Sequence, residues 1–76
     1  MVELVEFLAR RLVDQPDAVR VEREEREDAV VFHLHVAPED VGKVIGRQGR
    51  IARALRAVVR AGGVRENRRV QLEIAG

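Results

Sequence analysis

The chain predicts an α+β domain in the order helix, strand, strand, helix, helix, strand, with three helices covering one face of a three-stranded sheet. Three observations predict it. Apolar residues recur at helical spacing in three segments and alternate with polar ones in three others. The 76 residues suffice for one small domain, residues 1–76, and show no internal repeat, low-complexity run or linker. A sheet with one apolar face needs a cover, and helices laid on that face supply it.

Residues 2–13 read as an amphipathic helix with Leu4, Val5, Leu8 and Leu12 on its apolar face and Glu3, Glu6 and Arg10 opposite. Pro16 ends it, because proline lacks the N–H that continues the ladder and biases Gln15 away from helix. Residues 18–24, AVRVERE, alternate as a strand with Val19 and Val21 inward. Glu25 to Asp28 form a charged connection. Residues 29–36, AVVFHLHV, alternate again, with Val30, Phe32, Leu34 and Val36 on one side and Val31, His33 and His35 on the other. Two such strands across a short polar link predict a hairpin. Pro38, Glu39 and Asp40 open a short helix that runs to about Ile45, proline suiting its first turn and the acids its positive end. Gly46 to Gly49 interrupt it. A longer helix runs from Arg50 to about Ala61 and stops at Gly62 and Gly63. Residues 68–75, RRVQLEIA, alternate as the last strand, with Val70, Leu72 and Ile74 inward.

Composition narrows the function. A domain this small buries only about 60% of the surface its unfolded chain exposes, so it needs tight packing or self-association. No cysteine is present, which removes disulfides and thiolate metal sites and suits a reducing cytoplasm. The first fifteen residues place Glu3 and Glu6 inside the apolar pattern, unlike a secretory leader. No stretch approaches the roughly 18 apolar residues of a membrane span. The net charge of +1 conceals an asymmetry: residues 1–40 carry five Arg against eleven Asp and Glu, and residues 41–76 carry nine basic residues against two Glu. That split is expected of a polyanion-binding face, or of a helix that uses arginine for solubility.

The basic half is centred on GKVIGRQGRIARALR, residues 42–56, with three glycines, five basic side chains and no acid. Glycines at 46 and 49 permit a sharp turn and leave no Cβ to block an approaching molecule. The turn leads into a helix N-terminus, where free N–H groups and the dipole favour an anion. Lys43, Arg47, Arg50 and Arg53 surround it. The P-loop pattern is excluded because its lysine and hydroxyl are missing, and the dinucleotide fingerprint because neither its spacing nor its βαβ unit is present. A Gly-x-x-Gly loop between two helices is instead the device that clamps a nucleic-acid backbone.

VGKVIGRQGRIARALR resembles the core KH motif, with Val44 and Ile45 before the loop, Gly46 and Gly49 within it and Ile51 after it. The element order resembles the bacterial, type II arrangement of KH domains, and residues 2–75 together resemble the small stand-alone bacterial KH-domain proteins. The resemblance implies a non-catalytic RNA-binding protein, an RNA chaperone or post-transcriptional regulator, that holds about four nucleotides of single-stranded RNA with its GxxG loop on the phosphates. It also implies a cytoplasmic protein that self-associates or pairs with a second KH-domain protein. The residues that the resemblance implies are Gly46, Arg47, Gln48 and Gly49, with Lys43 and Arg50 as flanking contacts.

Other side chains are weighed against plainer roles. In the helix from Arg50, Ile51, Leu55 and Val58 form the expected core stripe, yet the apolar arc is about twice the ~100° a sheet-packed helix needs. Its surplus small-residue edge, Ala54, Ala57, Val58 and Ala61, is the expected dimer contact. Arg53 is the best placed of Arg53, Arg56 and Arg60 to extend the phosphate track, and Arg60 reads as a solvated charge. His33 and His35 share a strand face without a third ligand, so hydrogen-bonded histidines are expected and no metal or cofactor. Phe7 and Phe32 both fall on apolar stripes, and no Trp or Tyr is present, so aromatic stacking platforms are not expected. No nucleophile–base set or carboxylate pair can be placed in a pocket, which argues against an enzyme. The alternative to RNA binding is a protein-interaction module with incidental nucleic-acid contact.

Overall fold

Among the described residues six α-helices and β-strands build the domain: α1 (Val2–Leu12), β1 (Arg20–Glu25), β2 (Ala29–His35), α2 (Val41–Ile45), α3 (Arg50–Gly63) and β3 (Arg69–Ala75). The computed structural model describes residues 1–63 and 69–76. The order is the one expected, and the three helices cover one face of a single sheet. Its strands run β1-β2-β3, antiparallel for the first pair and parallel for the second. A parallel pair cannot be joined by a hairpin, and here α2 and α3 supply the crossover.

Boundaries shift where polar turns take residues from the strands. A 3-10 turn at Pro16–Ala18 uses the N–H of Val19, so β1 starts at Arg20 and not at Ala18. Val19 is buried all the same. The hairpin closes when the N–H of Arg26 donates to the carbonyl of Ala29 at 2.8 Å, which leaves Glu25 in the strand and a link of only three residues, 26–28. Helix α3 runs on through Gly63. The expected start of the last strand at Arg68 lies outside the described residues.

The core joins Val5 and Ala9 of α1, Val44 of α2, and Leu55 and Val59 of α3 to Val21, Val30, Phe32, Leu34, Val70 and Leu72 of the sheet. Two helices are rotated from the orientation expected. In α3 the buried residues are Ala52, Leu55 and Val59, with Ile51 and Val58 half-buried. That is a rotation of about 70° from the Ile51, Leu55, Val58 stripe at 100° per residue. The rotation puts Ala52 in place of Ile51 against the sheet, whose own inward side chains include Phe32, Leu34 and Leu72. In α1 Ala9 takes the buried position, Leu8 and Leu12 pack at its margin, and Leu4 stands 45% exposed. Phe7 is also turned out, 48% exposed with the Arg11 guanidinium 5.6 Å from its ring centre, and not on the buried stripe.

Candidate nucleic-acid interface

Helix α2 ends at Gly46, whose φ of 76° and ψ of 172° belong to a region that only glycine occupies freely. A Cβ there would lie 2.7 Å from Cγ1 of Ile51, so the missing side chain also makes room for the first turn of α3. The N–H of Gly49 donates to the carbonyl of Gly46 at 3.1 Å, closing the loop. Gln48 sits in the left-handed region at φ 57°, and Gly49 follows at φ 73°. Two reversals in four residues throw Arg47 and Gln48 outward as an exposed tip. The chain then enters α3, fourteen residues long, whose positive dipole end faces the loop.

The sequence places Arg47, Arg50 and Arg53 around this tip, and the structure brings all three there, exposed. The Arg53 guanidinium folds back over the loop, with Nη1 3.5 Å from where a Gly49 Cβ would stand. Charge pairing differs along the chain, although Arg11 in the first half stands over the Phe7 ring and Lys43 in the second half meets two acids. Arg10, Arg20, Arg23 and Arg26 each pair with a glutamate. Arg47, Arg50, Arg53, Arg56 and Arg60 pair with no acid among the described residues. Five unneutralised guanidinium groups thus lie along one loop and one helix.

Arg56 and Arg60 line a groove of about 210 Å³ with Val70, Gln71, Leu72 and Glu73 of β3. Strand β3 is a sheet edge, so its outer backbone groups are free to bond a ligand. Periodicity within the last strand does not single out Gln71 and Glu73, because it is the strand order β1-β2-β3 that puts β3 at the edge beneath α3. Ile45, 38% exposed just before the loop, adds an aliphatic surface. A larger cavity of about 310 Å³, lined by Met1, Val2, Phe32, Val59 and Val70 among others, lies at the far end of α3 from the loop.

Lys43 is placed differently. Its Nζ donates to Oδ2 of Asp14 at 2.7 Å and lies 3.4 Å from Oδ1 of Asp40. The Asp14 hydrogen bond holds the ammonium pKa above its ordinary value against the opposing effect of burial, and Asp40 adds to it. Asp40, expected to face the helix dipole, is 1% exposed and makes no cap; its Oδ2 accepts the N–H of Gln15 at 3.0 Å.

The residues of the expected dimer edge form an open surface. Ala54, Ala57 and Ala61 are exposed and Val58 half-buried, on the flank of α3 opposite Arg56 and Arg60. Met1 meets Gly62 near the end of α3, while Asp14, just past α1, meets Lys43 of α2. The two long helices therefore run antiparallel. By helical geometry Phe7 of α1 and Ala57 of α3 stand opposite the buried stripes of their helices, with Leu4 and Leu8 beside the one and Ala54 and Ala61 beside the other. On the other side of the sheet, His33 bonds Oε1 of Glu24 at 2.7 Å and lies 3.5 Å from Glu73, and His35 lies 3.3 Å from Glu22. No group of three metal-ligating side chains occurs among the described residues, and no described helix is long and apolar enough to cross a membrane.

Comparison with known proteins identifies relatives over nearly the whole chain. The family model described as KhpA/KhpB, KH domain, matches residues 2–74. The chain is 53% identical over 74 residues to RNA-binding protein KhpA of Clostridium acetobutylicum, covering 97% of this chain and 99% of that one. It is 51% identical over 74 residues to the protein of the same name from Clostridium perfringens, and 51% over 74 residues to that of Caldanaerobacter subterraneus, each covering 97% of this chain and 99% of the relative. No solved structure matched.

Proposed function

This chain belongs to the KhpA/KhpB family of KH domains, and on that premise we propose that it binds single-stranded RNA with its GxxG loop. The family is not one of enzymes, and the chain acts by binding. Gly46 and Gly49 let a phosphate approach the backbone. Arg47 and Gln48 reach it from the tip, and Arg50 and Arg53 reach it from the first turns of α3. The strand continues along the groove under Arg56 and Arg60, where the β3 edge meets base edges. About four nucleotides fill such a groove. The observation that carries this reading is the set of five arginines without acidic partners beside a glycine-framed loop. Lys43, also read as a contact, is committed to Asp14 and Asp40.

With no aromatic side chain in the groove, affinity rests on phosphate contacts and base-edge hydrogen bonds. A single copy then binds weakly, and two linked copies gain avidity. The protein accordingly works as a homodimer, or paired with a second KH-domain protein, through the exposed apolar surface of α1 and α3. Its role is that of a cytoplasmic RNA chaperone or post-transcriptional regulator.

The test is binding of a short single-stranded RNA by the wild type and by Arg47→Asp/Gln48→Asp, both shown to be folded, at several salt concentrations. The double variant is expected to lose about tenfold or more, the scale of one charge-assisted hydrogen bond. In the wild type, log K is expected to fall against log salt with a slope of roughly −1.4 to −2.8 for two to four phosphates. The exposed apolar surface supports a second reading, a protein-interaction module. Equal binding by both proteins, or none by either, selects it.

A further inference from the structure

Helix α2 has five residues, too few to hold itself; Val44 anchors it in the core and Val41 packs at the core's margin. Its end sets where the GxxG loop stands. Polar contacts add to these two anchors. Asp40 accepts the Gln15 N–H, Gln15 Nε2 donates to Glu39 Oε2 at 2.6 Å, and Lys43 spans Asp14 and Asp40. Together they tie the turn that follows α1 to both sides of the start of α2.

A buried carboxylate is tolerated only with partners, and Lys43 supplies one of those for Asp40. Burial pushes the Asp40 carboxyl up, but the backbone N–H groups of Gln15 and Asp14, with Lys43, hold it below its ordinary value. Asp40 and Lys43 are therefore ionised at neutral pH, and the Lys43 ammonium lies against the carboxyl groups of both Asp14 and Asp40. Of the basic residues from 42 to 60, Lys43 is the one with acidic partners among the described residues.

We propose that Lys43 and Asp40 are positioning residues, an internal latch that fixes the GxxG loop against α1, and that Lys43 does not serve as a phosphate ligand. The proposal rests on the RNA-binding reading above. Asp14 separates the two roles, because its removal releases the Lys43 ammonium from its shorter contact and leaves the buried Asp40 in place. If Lys43 is a phosphate ligand, Asp14→Asn strengthens RNA binding. If Lys43 is a latch, the same change loosens the loop and weakens binding.

The experiment compares Asp14→Asn with Asp17→Asn, which removes the same charge from the same turn without meeting Lys43. Both carboxylates are on exposed residues, so both variants are expected to fold, and circular dichroism checks this. Short single-stranded RNA is titrated at several salt concentrations, with Lys43→Met and Arg53→Met alongside. The expected result is threefold to tenfold weaker binding by Asp14→Asn than by Asp17→Asn. Lys43→Met should weaken binding with the wild-type salt slope, while Arg53→Met should flatten that slope by about 0.7, the share of one phosphate. Tighter or equal binding by Asp14→Asn relative to Asp17→Asn overturns the proposal, as does a flattened slope in Lys43→Met. A wild type without salt dependence overturns the RNA-binding reading instead, which keeps the two failures apart.

Discussion

Gly46 carries two constraints in one residue, a backbone conformation closed to other residues and a position filled by Ile51. Gly46→Ala is therefore expected to destabilise the domain by about 1–3 kcal/mol from the backbone alone, with a further contribution from the displaced isoleucine. Urea unfolding measures it, and an unchanged midpoint would contradict it. The sequence announces a turn at this position through glycine spacing, but not the contact with Ile51, which arises only when α3 folds back. Asp40 is a similar case. Beside proline at a helix start it reads as a dipole-matching acid. Burial and the Gln15 N–H, 25 residues away in sequence, make it a structural partner.

At the scale of elements, helical and strand periods were legible because each segment has one strongly apolar face. Rotation was not. Helix α3 has an apolar arc wide enough for two orientations, and the choice of Ala52, Leu55 and Val59 depends on the sheet beneath. On the sheet's open face, periodicity predicted that the two histidines share a side, and the register supplies their partners. His33 faces Glu22 on β1 and Glu73 on β3, with Glu24 diagonal to it. The Arg26 hydrogen bond, then that of His33, draws the Glu24 pKa down to about 2 from 4.5. A depressed carboxylate contributes stability above its unfolded pKa and loses it as pH falls through the folded one. The wild type is thus expected to be more stable than Glu24→Gln at pH 5.5, and the gap to narrow as pH falls from about 4.5 toward 2. Urea midpoints across that range test the sign; a gap that widens toward low pH contradicts it.

The whole molecule is thin, 35 × 23 × 16 Å, because a single helical layer lies on a single sheet. Such a shape buries little, and it leaves Leu4, Phe7, Ala54, Ala57 and Ala61 at the surface. A second copy covering that surface would add apolar burial to a domain that has little. Ala57→Arg places a charge in the middle of the expected contact. Sedimentation should find the wild type dimeric and this variant monomeric, with unchanged secondary structure and weaker RNA binding through lost avidity. A wild type that stays monomeric at high concentration would sink the dimer. Charge is distributed at the same scale, with acid–arginine pairs on the hairpin and, on the loop and α3, five arginines without an acidic partner among the described residues.

The sequence by itself determined the element order, the α+β class, the GxxG turn and the polarity of the charge, since each depends on spacing within a short segment. Tertiary structure decided which guanidinium groups stay free, that the single lysine is held, which flanks of α1 and α3 remain open, and that β3 forms the groove's wall. Those outcomes depend on contacts between segments distant in the chain, where burial and pairing, not local propensity, set the energy.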